Sequence, residues 1–321
     1  MKAGGATHAQ PLQGVLLILL AAAFFASLDS TARGLSQPDG AWGVPVLLIM
    51  TVRYTVQAVV MAVALAPRGR AAFTSVHPKF QWLRGLLLLA TSFFSFFAVR
   101  SMPVPEYTAI NMLTPLLVTL LAAGLLHEKV SRPRWVLVCG GFAGALVVIR
   151  PGSGAFGWVV LLPQMGATTY ASFQVLTSRL AGADSPLTTH FWTGLVGTVV
   201  MWPVLALAAA AQGADACLAI AHRLSPGAWA AMVGCGLLAT VGHLFLILAL
   251  GKARTATLMP FLYVQIGFAA LIAWLVFDHV PDQWAWVGMA VIAGCGATSA
   301  ALNMKRPGAS TSPTAVDVLP E

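Results

Sequence analysis

Charged residues are scarce in this sequence. Only 9% of its 321 residues are Asp, Glu, Lys or Arg, whereas 58% are hydrophobic. A soluble globular protein is nearer one quarter charged, so a soluble fold of this length is excluded. The composition therefore predicts an integral membrane protein that forms one many-helix domain.

Several motifs of catalysis and of nucleotide or metal binding are also missing from the sequence. The chain contains no GxxxxGK[ST] segment for ATP phosphates, and its four cysteines form no CxxC pair. His127-Glu128 begins an HExxH pattern, but Ser131 stands where the second His is needed. We therefore expect no enzyme activity, no catalytic residue, no metal site and no cofactor.

Long apolar segments are abundant. A membrane-spanning helix needs about 20 mostly apolar residues. Reading between Pro, Gly and charged residues gives ten predicted spans, at 13–35, 44–66, 82–101, 106–126, 134–150, 157–178, 187–210, 227–250, 256–277 and 284–302. The predicted fold class is an all-α integral membrane protein with ten transmembrane helices. Residues 1–12 are expected to form a cytoplasmic N-terminus, and the polar tail at 303–321 is expected to be disordered.

The basic residues predict the orientation of these spans. With the N-terminus in the cytoplasm, 13 of the 18 Lys and Arg residues fall on the cytoplasmic side and 4 on the opposite side, while Arg53 lies within span 2. Basic residues collect in cytoplasmic loops of membrane proteins. The net charge of +8 therefore indicates topology, with both termini cytoplasmic, and does not indicate a nucleic-acid partner.

The two halves of the chain contain short echoes of one another. ASLDSTARGL at 26–35 returns loosely as ASFQVLTSRL at 171–180, and LLHEKV at 125–130 has a positional echo in VFDHVP at 276–281. The offsets, 145 and 151 residues, nearly agree. Five spans per half would place the second half upside down, and an inverted repeat with a site at the membrane midplane is typical of secondary transporters.

A set of segments in a fixed order carries a family resemblance. The set is Asp29 before Arg33, Arg53 in span 2, LTPLLVTLLAAGLLHEKVSRPRW (113–135), GGFAGALVVIRPG (140–152), GHLFLILAL (242–250), MPFLYVQIGFAALIAWLVF (259–277) and VPDQWAWVGMAVIAGCG (280–296). With these segments the chain resembles the EamA-type branch of the drug/metabolite transporter superfamily. The second half resembles the subgroup that contains bacterial S-adenosylmethionine uptake carriers, although His279 stands where that subgroup usually has an acid.

The resemblance implies an architecture and a class of function. It implies ten helices in two inverted EamA-like repeats of five, at 13–150 and 151–302, in the bacterial inner membrane. It also implies passage of a small organic metabolite, but it fixes neither the substrate nor the direction of transport.

Two charged residues lie inside predicted spans. Counted from the outer face, Asp29 is about 9 Å deep in span 1 and Arg53 about 13 Å deep in span 2. An ionisable group at such a depth normally faces a partner or a cavity. We therefore predict that Asp29 and Arg53 form a salt bridge, with Arg33 nearer the outer interface. The pair would either fasten two helices together or act as a gate at the mouth of a substrate cavity.

Polar residues on spans 4 and 6 supply further candidates. Span 6 carries a polar stripe at spacings of three and four, formed by Gln164, Thr168, Ala171, Gln174 and Ser178, with Tyr170 one turn from Gln174. Such a stripe is expected to face the bundle interior or water, or to bond neighbouring helices. In span 4, Thr114-Pro115 predicts a kink in which Thr114 forms a local hydrogen bond, and Asn111 is the cavity candidate.

Spans 8 and 9 complete the set. His243 lies deep in an apolar run and is, after Asp29, the best titratable candidate. In span 9, Tyr263 and Gln265 lie on different faces of a regular helix and are not expected to reach one ligand together. The predicted substrate-cavity residues are Asp29, Arg53, Asn111, Gln164, Tyr170, Gln174, His243 and Tyr263.

The predicted function is that of a secondary transporter for a small amphipathic or zwitterionic metabolite. It would operate by alternating access around a cavity lined by spans 1 to 4 and 6 to 9, with spans 5 and 10 in a supporting role. Its expected partners are the metabolite and membrane lipid; proton coupling through Asp29 or His243 stays open, and the chain is expected to be a monomer or weak homodimer. A proton-coupled exporter of metabolites or drugs, a membrane-embedded enzyme and a channel are the alternatives.

Overall fold

The computed structural model describes residues 11–37, 42–125, 132–150, 157–180, 182–212, 224–252, 258 and 261–304. These residues form eleven α-helices: α1 (Pro11–Ser36), α2 (Val46–Leu65), α3 (Pro78–Ser101), α4 (Val104–Asn111), α5 (Thr114–Leu125), α6 (Arg132–Ile149), α7 (Leu161–Arg179), α8 (Pro186–Gln212), α9 (Pro226–Lys252), α10 (Val264–Phe277) and α11 (Gln283–Met304). The predicted all-helical fold is confirmed. His127, Glu128, Met259 and Pro260 lie outside the described residues, as do residues 1–10 and 305–321.

Span 4 is divided between two helices. It consists of α4 and α5, which are separated by a turn at Met112 and Leu113. The kink predicted at Thr114-Pro115 is in the structure a complete break between two helices, because Pro115 has no N–H to donate to the carbonyl of Asn111. Thr114 Oγ1 donates a hydrogen bond to that carbonyl at 2.7 Å instead, as expected.

The same sequence feature recurs in the second half. Leu113-Thr114-Pro115 in span 4 matches Leu258-Met259-Pro260 in span 9 at an offset of 145 residues. Tyr263 lies in a turn, and α10 begins only at Val264. Interrupted helices at corresponding places of two inverted repeats are a mark of the binding site in secondary transporters.

The pattern of helix packing also follows the repeat. α1 packs most extensively on α9, and α3 packs most extensively on α7. Likewise, α10 packs on α1, and α5 packs on α7. When the two halves are exchanged, α1 corresponds to α7 and α3 to α9, so these pairs are equivalent. The helices of spans 5 and 10, α6 and α11, pack on each other.

The outer surface of the bundle is strongly apolar. Large side chains such as Val63, Val136, Leu207 and Leu275 are each about 70% exposed. Within the described residues, α1, α2, α3, α8 and α9 are long and apolar enough to cross a membrane by length and composition. A surface of this kind requires lipid around it, since water would solvate it poorly.

Candidate functional site

A central cavity lies where the interrupted helices meet the long ones. Its empty volume, counted together with its opening to solvent, is about 650 Å³. The lining residues are Phe25, Leu28 and Asp29 of α1, Arg53 of α2, Leu88, Thr91, Ser92, Ser95 and Phe96 of α3, Tyr107, Asn111, Met112 and Thr114 of α4 and α5, Tyr170 and Gln174 of α7, His243 of α9, and Leu262 and Gln265 around the start of α10. Among the described residues, spans 5 and 10 contribute none of this lining. Span 7 (α8) also contributes none, contrary to expectation.

Asp29 and Arg53 both face this cavity, but they do not form the predicted salt bridge. Both are nearly inaccessible, with 6% and 1% exposure, yet the ion pairs within 4 Å in the described part of the chain are Arg150–Asp282 and His279–Glu106. The prediction fails because equal depth does not make two helices neighbours. α1 packs mainly on α9 and α10, whereas α2 packs on α8 and α9.

Each of the two charges has a neutral partner instead. Gln265 Nε2 donates to Asp29 Oδ2 at 3.4 Å, and Arg53 Nη1 donates to Ser92 Oγ at 2.8 Å. The Arg53 guanidinium also lies 4.5 Å from the ring centroid of Tyr54. Its Nε atom is buried and has no hydrogen-bond partner among the described residues. The cavity wall therefore contains a carboxylate and a guanidinium that are free to contact a ligand separately.

Arg33 and its neighbours form a second polar group, at the end of the bundle where α1 ends. Arg33 Nη1 donates to the carbonyl oxygens of Val99 and Met102, at 2.9 and 2.5 Å, and so binds the negative end of the α3 dipole. Beside it, Glu106 Oε1 lies 3.1 Å from His279 Nε2. We call Arg33, Glu106 and His279 the Arg33 cluster. It connects the two halves of the chain and lies outside the cavity lining.

On α7 the structure brings Tyr170 and Gln174 into the cavity, but not the whole predicted stripe. Gln164 is half-buried and does not line the cavity, and Thr168 is exposed. The prediction that Gln164 lines the cavity is therefore wrong. Thr168 can point away from the cavity because a hydroxyl in a helix can form its hydrogen bond locally. Thr168 Oγ1 donates to the Gln164 carbonyl at 2.9 Å, so Thr168 needs no polar environment.

Two carboxamides in the cavity wall are left with unused hydrogen-bonding atoms. Gln174 is 4% exposed and Asn111 7% exposed. Gln174 Nε2, Gln174 Oε1 and Asn111 Oδ1 are buried and have no hydrogen-bond partner among the described residues. Such atoms are rare in folded proteins, and each requires an explanation such as a ligand or water.

His243 reaches the cavity as expected. Its Nδ1 lies 2.9 Å from the Ala239 carbonyl, and its ring centroid is 4.8 Å from that of Phe25. A second buried histidine, His190, stacks on it with a centroid separation of 6.2 Å. The proposed proton-carrying role of His243 stays a prediction.

Tyr263, which was expected to line the cavity, lies outside it, and Gln265 lines it instead. Gln265 lines the cavity, while Tyr263 packs against α11, where any side chain at Gly296 would overlap its ring. The prediction that Tyr263 lines the cavity is therefore wrong, and the sequence analysis did not include Gln265 among the cavity residues. The assignment of helical faces failed because Tyr263 lies in a turn and α10 begins one residue later.

A buried arginine network at the start of α3 was also missed, because Arg84 was counted with the cytoplasmic basic residues. Arg84 is fully buried. Its Nε donates to Thr177 Oγ1 at 2.8 Å, and its Nη1 donates to the Thr189 carbonyl at 2.8 Å and to Thr193 Oγ1 at 2.9 Å. These bonds fasten α3 to α7 and α8 at one end of the cavity.

Gln81 extends this network to Asp184 in the connection between α7 and α8. Gln81 Oε1 accepts from Arg84 Nη1 at 3.2 Å, and Gln81 Nε2 donates to Asp184 Oδ2 at 2.8 Å. Partial burial raises the pKa of Asp184, but hydrogen bonds from Ser75 Oγ, the Val76 N–H and Gln81 outweigh it. The pKa of this carboxyl therefore lies below its ordinary value of 3.8.

Comparison with known proteins decides the family. The EamA-like transporter family matches residues 12–150 and 157–298, one copy in each half. The chain belongs to this family. The resemblance noted in the sequence is confirmed, and the chain is a multi-pass membrane protein of a transporter family.

Several curated proteins are similar over most of their length. A riboflavin transporter of Vibrio cholerae is 27% identical over 287 residues, which cover 88% of this chain and 91% of the relative. A riboflavin transporter of Rhizobium johnstonii is 29% identical over 70% of both chains. An S-adenosylmethionine uptake transporter of Rickettsia prowazekii is 23% identical over 75% of this chain and 78% of its own. One solved crystal structure shares the fold, with a TM-score of 0.60 and 20% identity over 92% of this chain and 98% of the other.

Proposed function

We propose that this protein is a secondary transporter, without enzymatic activity, for a planar heteroaromatic metabolite of the flavin type, with riboflavin as the first candidate. The two repeats, at 13–150 and 151–302, would expose the central cavity alternately to the two sides of a bacterial inner membrane. Both termini would face the cytoplasm, as the distribution of basic residues predicts.

The charge balance of the cavity carries this proposal. Its lining holds one carboxylate, Asp29, and one guanidinium, Arg53, which are not paired with each other. A lining without excess charge suits an uncharged or zwitterionic ligand, because a net charge inside the membrane needs a compensating group.

The aromatic content of the lining favours a flat ring system. Phe25, Phe96, Tyr107 and Tyr170 all border the cavity, and aromatic rings stack favourably on planar ligands. Three of the similar proteins are named riboflavin transporters, which supports the flavin class.

S-adenosylmethionine is the second candidate, because other relatives are named for its uptake. Its sulfonium makes it a net cation beside its amino-acid zwitterion, so it needs more negative than positive charge around it. The cavity offers only Asp29 for this role among its lining residues, and Arg53 repels a cation. The cavity therefore favours riboflavin.

Transport by the purified full chain in proteoliposomes tests the proposal. We expect saturable uptake of radiolabelled riboflavin above that of protein-free vesicles, and at least tenfold slower uptake of S-adenosylmethionine at equal concentration. The reverse order would overturn the flavin assignment. Repeating the assay with and without a pH gradient tests proton coupling, and recovery of chemically altered substrate would favour the enzyme alternative.

A further inference from the structure

We propose that the carboxamides of Asn111 and Gln174 form, with the Arg53 guanidinium, a subsite for a cyclic imide edge of the substrate, that is, a ring N–H flanked by two ring carbonyls. The inference rests on the proposed function, since the flavin ring carries such an edge. It goes beyond that function by assigning one edge of the ligand to three particular side chains.

The two carboxamides are presented in the same way by different repeats. On α4, Tyr107 and Asn111 are four residues apart, and on α7 so are Tyr170 and Gln174. Side chains four residues apart lie on one helical face, and all four residues line the cavity. α4 and α7 pack against each other. Each helix thus presents an aromatic ring and, one turn away, a carboxamide.

The unused hydrogen-bonding atoms mark where the ligand edge would lie. Four buried atoms of these side chains have no partner among the described residues: Gln174 Nε2, Gln174 Oε1, Asn111 Oδ1 and Arg53 Nε. Two of them are donors and two are acceptors. An unpaired polar atom is costly in an apolar interior, so a ligand that pairs with them gains specificity as well as affinity.

An imide edge offers one donor, its N–H, and two acceptors, its carbonyl oxygens. The carbonyls can accept from Gln174 Nε2 and Arg53 Nε, and the single N–H can be shared by the oxygens of Gln174 and Asn111. A carboxamide can form two parallel hydrogen bonds with a cyclic imide, in which the ring N–H donates to the carboxamide oxygen and the carboxamide NH₂ donates to a ring carbonyl. Rotation of the carboxamide by half a turn exchanges its donor and acceptor, so either order of groups can be matched. The second ring carbonyl is an acceptor for Arg53 Nε, and the ring face can stack on Tyr107 or Tyr170.

N3-methylriboflavin tests the assignment on the unmodified protein, because the methyl group removes the imide N–H and leaves the rest of the molecule in place. We expect it to inhibit riboflavin uptake at a concentration at least tenfold higher than unlabelled riboflavin requires. Equal inhibition by the two compounds would overturn the subsite while leaving riboflavin transport established. Absence of riboflavin transport would overturn the proposed function, and the subsite with it.

Two variants on the same helix then connect the effect to a residue. In Gln174→Leu the KM for riboflavin is expected to rise at least tenfold, and the preference for riboflavin over its N3-methyl derivative is expected to fall to less than threefold. Gln164→Leu is the matched control, since Gln164 has the same side chain on α7 but does not line the cavity. The control should keep both the KM and the preference. A folded Gln174→Leu protein that keeps the preference would refute the role of Gln174.

Discussion

Close contact between α6 and α11 depends on glycines, and Gly288→Ala should disrupt it. A Cβ at position 288 would lie 2.6 Å from the Gly144 carbonyl oxygen and 3.0 Å from the Val148 backbone nitrogen. Ordinary contacts begin at 3.4 Å, so the helices would have to separate by about 0.8 Å. Backbone atoms cannot rotate away as a side chain can. Overpacking of this kind costs about 1–3 kcal/mol.

Thermal unfolding in detergent, followed by tryptophan fluorescence, measures this effect. We expect the Tm of Gly288→Ala to fall by several degrees, because close helix packing between small residues is a main source of stability in membranes. Gly294→Ala on the same helix is the control, since its Cβ would meet no described atom within 4 Å. The control should be equal to or slightly more stable than the parent, because Ala favours helix over Gly by about 1 kcal/mol. Equal Tm values for the two variants would refute the packing argument.

Three further predictions concern charged residues. Asp29→Asn should leave the protein folded but lower riboflavin transport at least about tenfold, because a hydrogen bond to a charged group contributes about 1.5–3 kcal/mol. Transport by this variant at the rate of the parent would contradict a role of Asp29 in substrate binding. His279→Ala should lower the Tm, because it removes the contact of His279 Nε2 with Glu106 Oε1 at 3.1 Å and leaves that buried oxygen without its partner; an unchanged Tm would contradict a stabilising role of the Arg33 cluster. Asp184→Asn should lower the Tm at neutral pH. Because the folded-state pKa of Asp184 lies below its ordinary value of 3.8, the difference in Tm from the parent should shrink as the pH falls below 3.8. A difference in Tm that does not change with pH would contradict the role of the hydrogen bonds to Asp184.

The helices could be predicted from the sequence because lipid imposes a simple rule on them. Apolar segments of sufficient length must form helices to satisfy their backbone hydrogen bonds, and Pro115 predicted the local bond of Thr114. The break between α4 and α5 was underestimated, since a sequence does not show whether a proline bends a helix or ends it.

The cavity was harder to predict because it depends on which helices are neighbours. Depth along a span brought Asp29 and Arg53 to similar levels, but it gave no information on the rotation or pairing of α1 and α2. Gln265 was set aside, and Tyr263 preferred, on the assumption of a regular helix that the turn at Tyr263 breaks. Repeat symmetry would have helped, since Leu258-Met259-Pro260 matches the interrupted segment of span 4.

Counterflow of riboflavin tests the central claim most directly, because only a carrier exchanges substrate across a membrane through one alternating site. Proteoliposomes loaded with unlabelled riboflavin should accumulate external labelled riboflavin transiently above its equilibrium level, with a rate that saturates as the external concentration rises. Uptake that increases linearly with concentration and shows no such overshoot would indicate a channel. The absence of any riboflavin flux above that of protein-free vesicles would contradict the assignment of this cavity to a flavin.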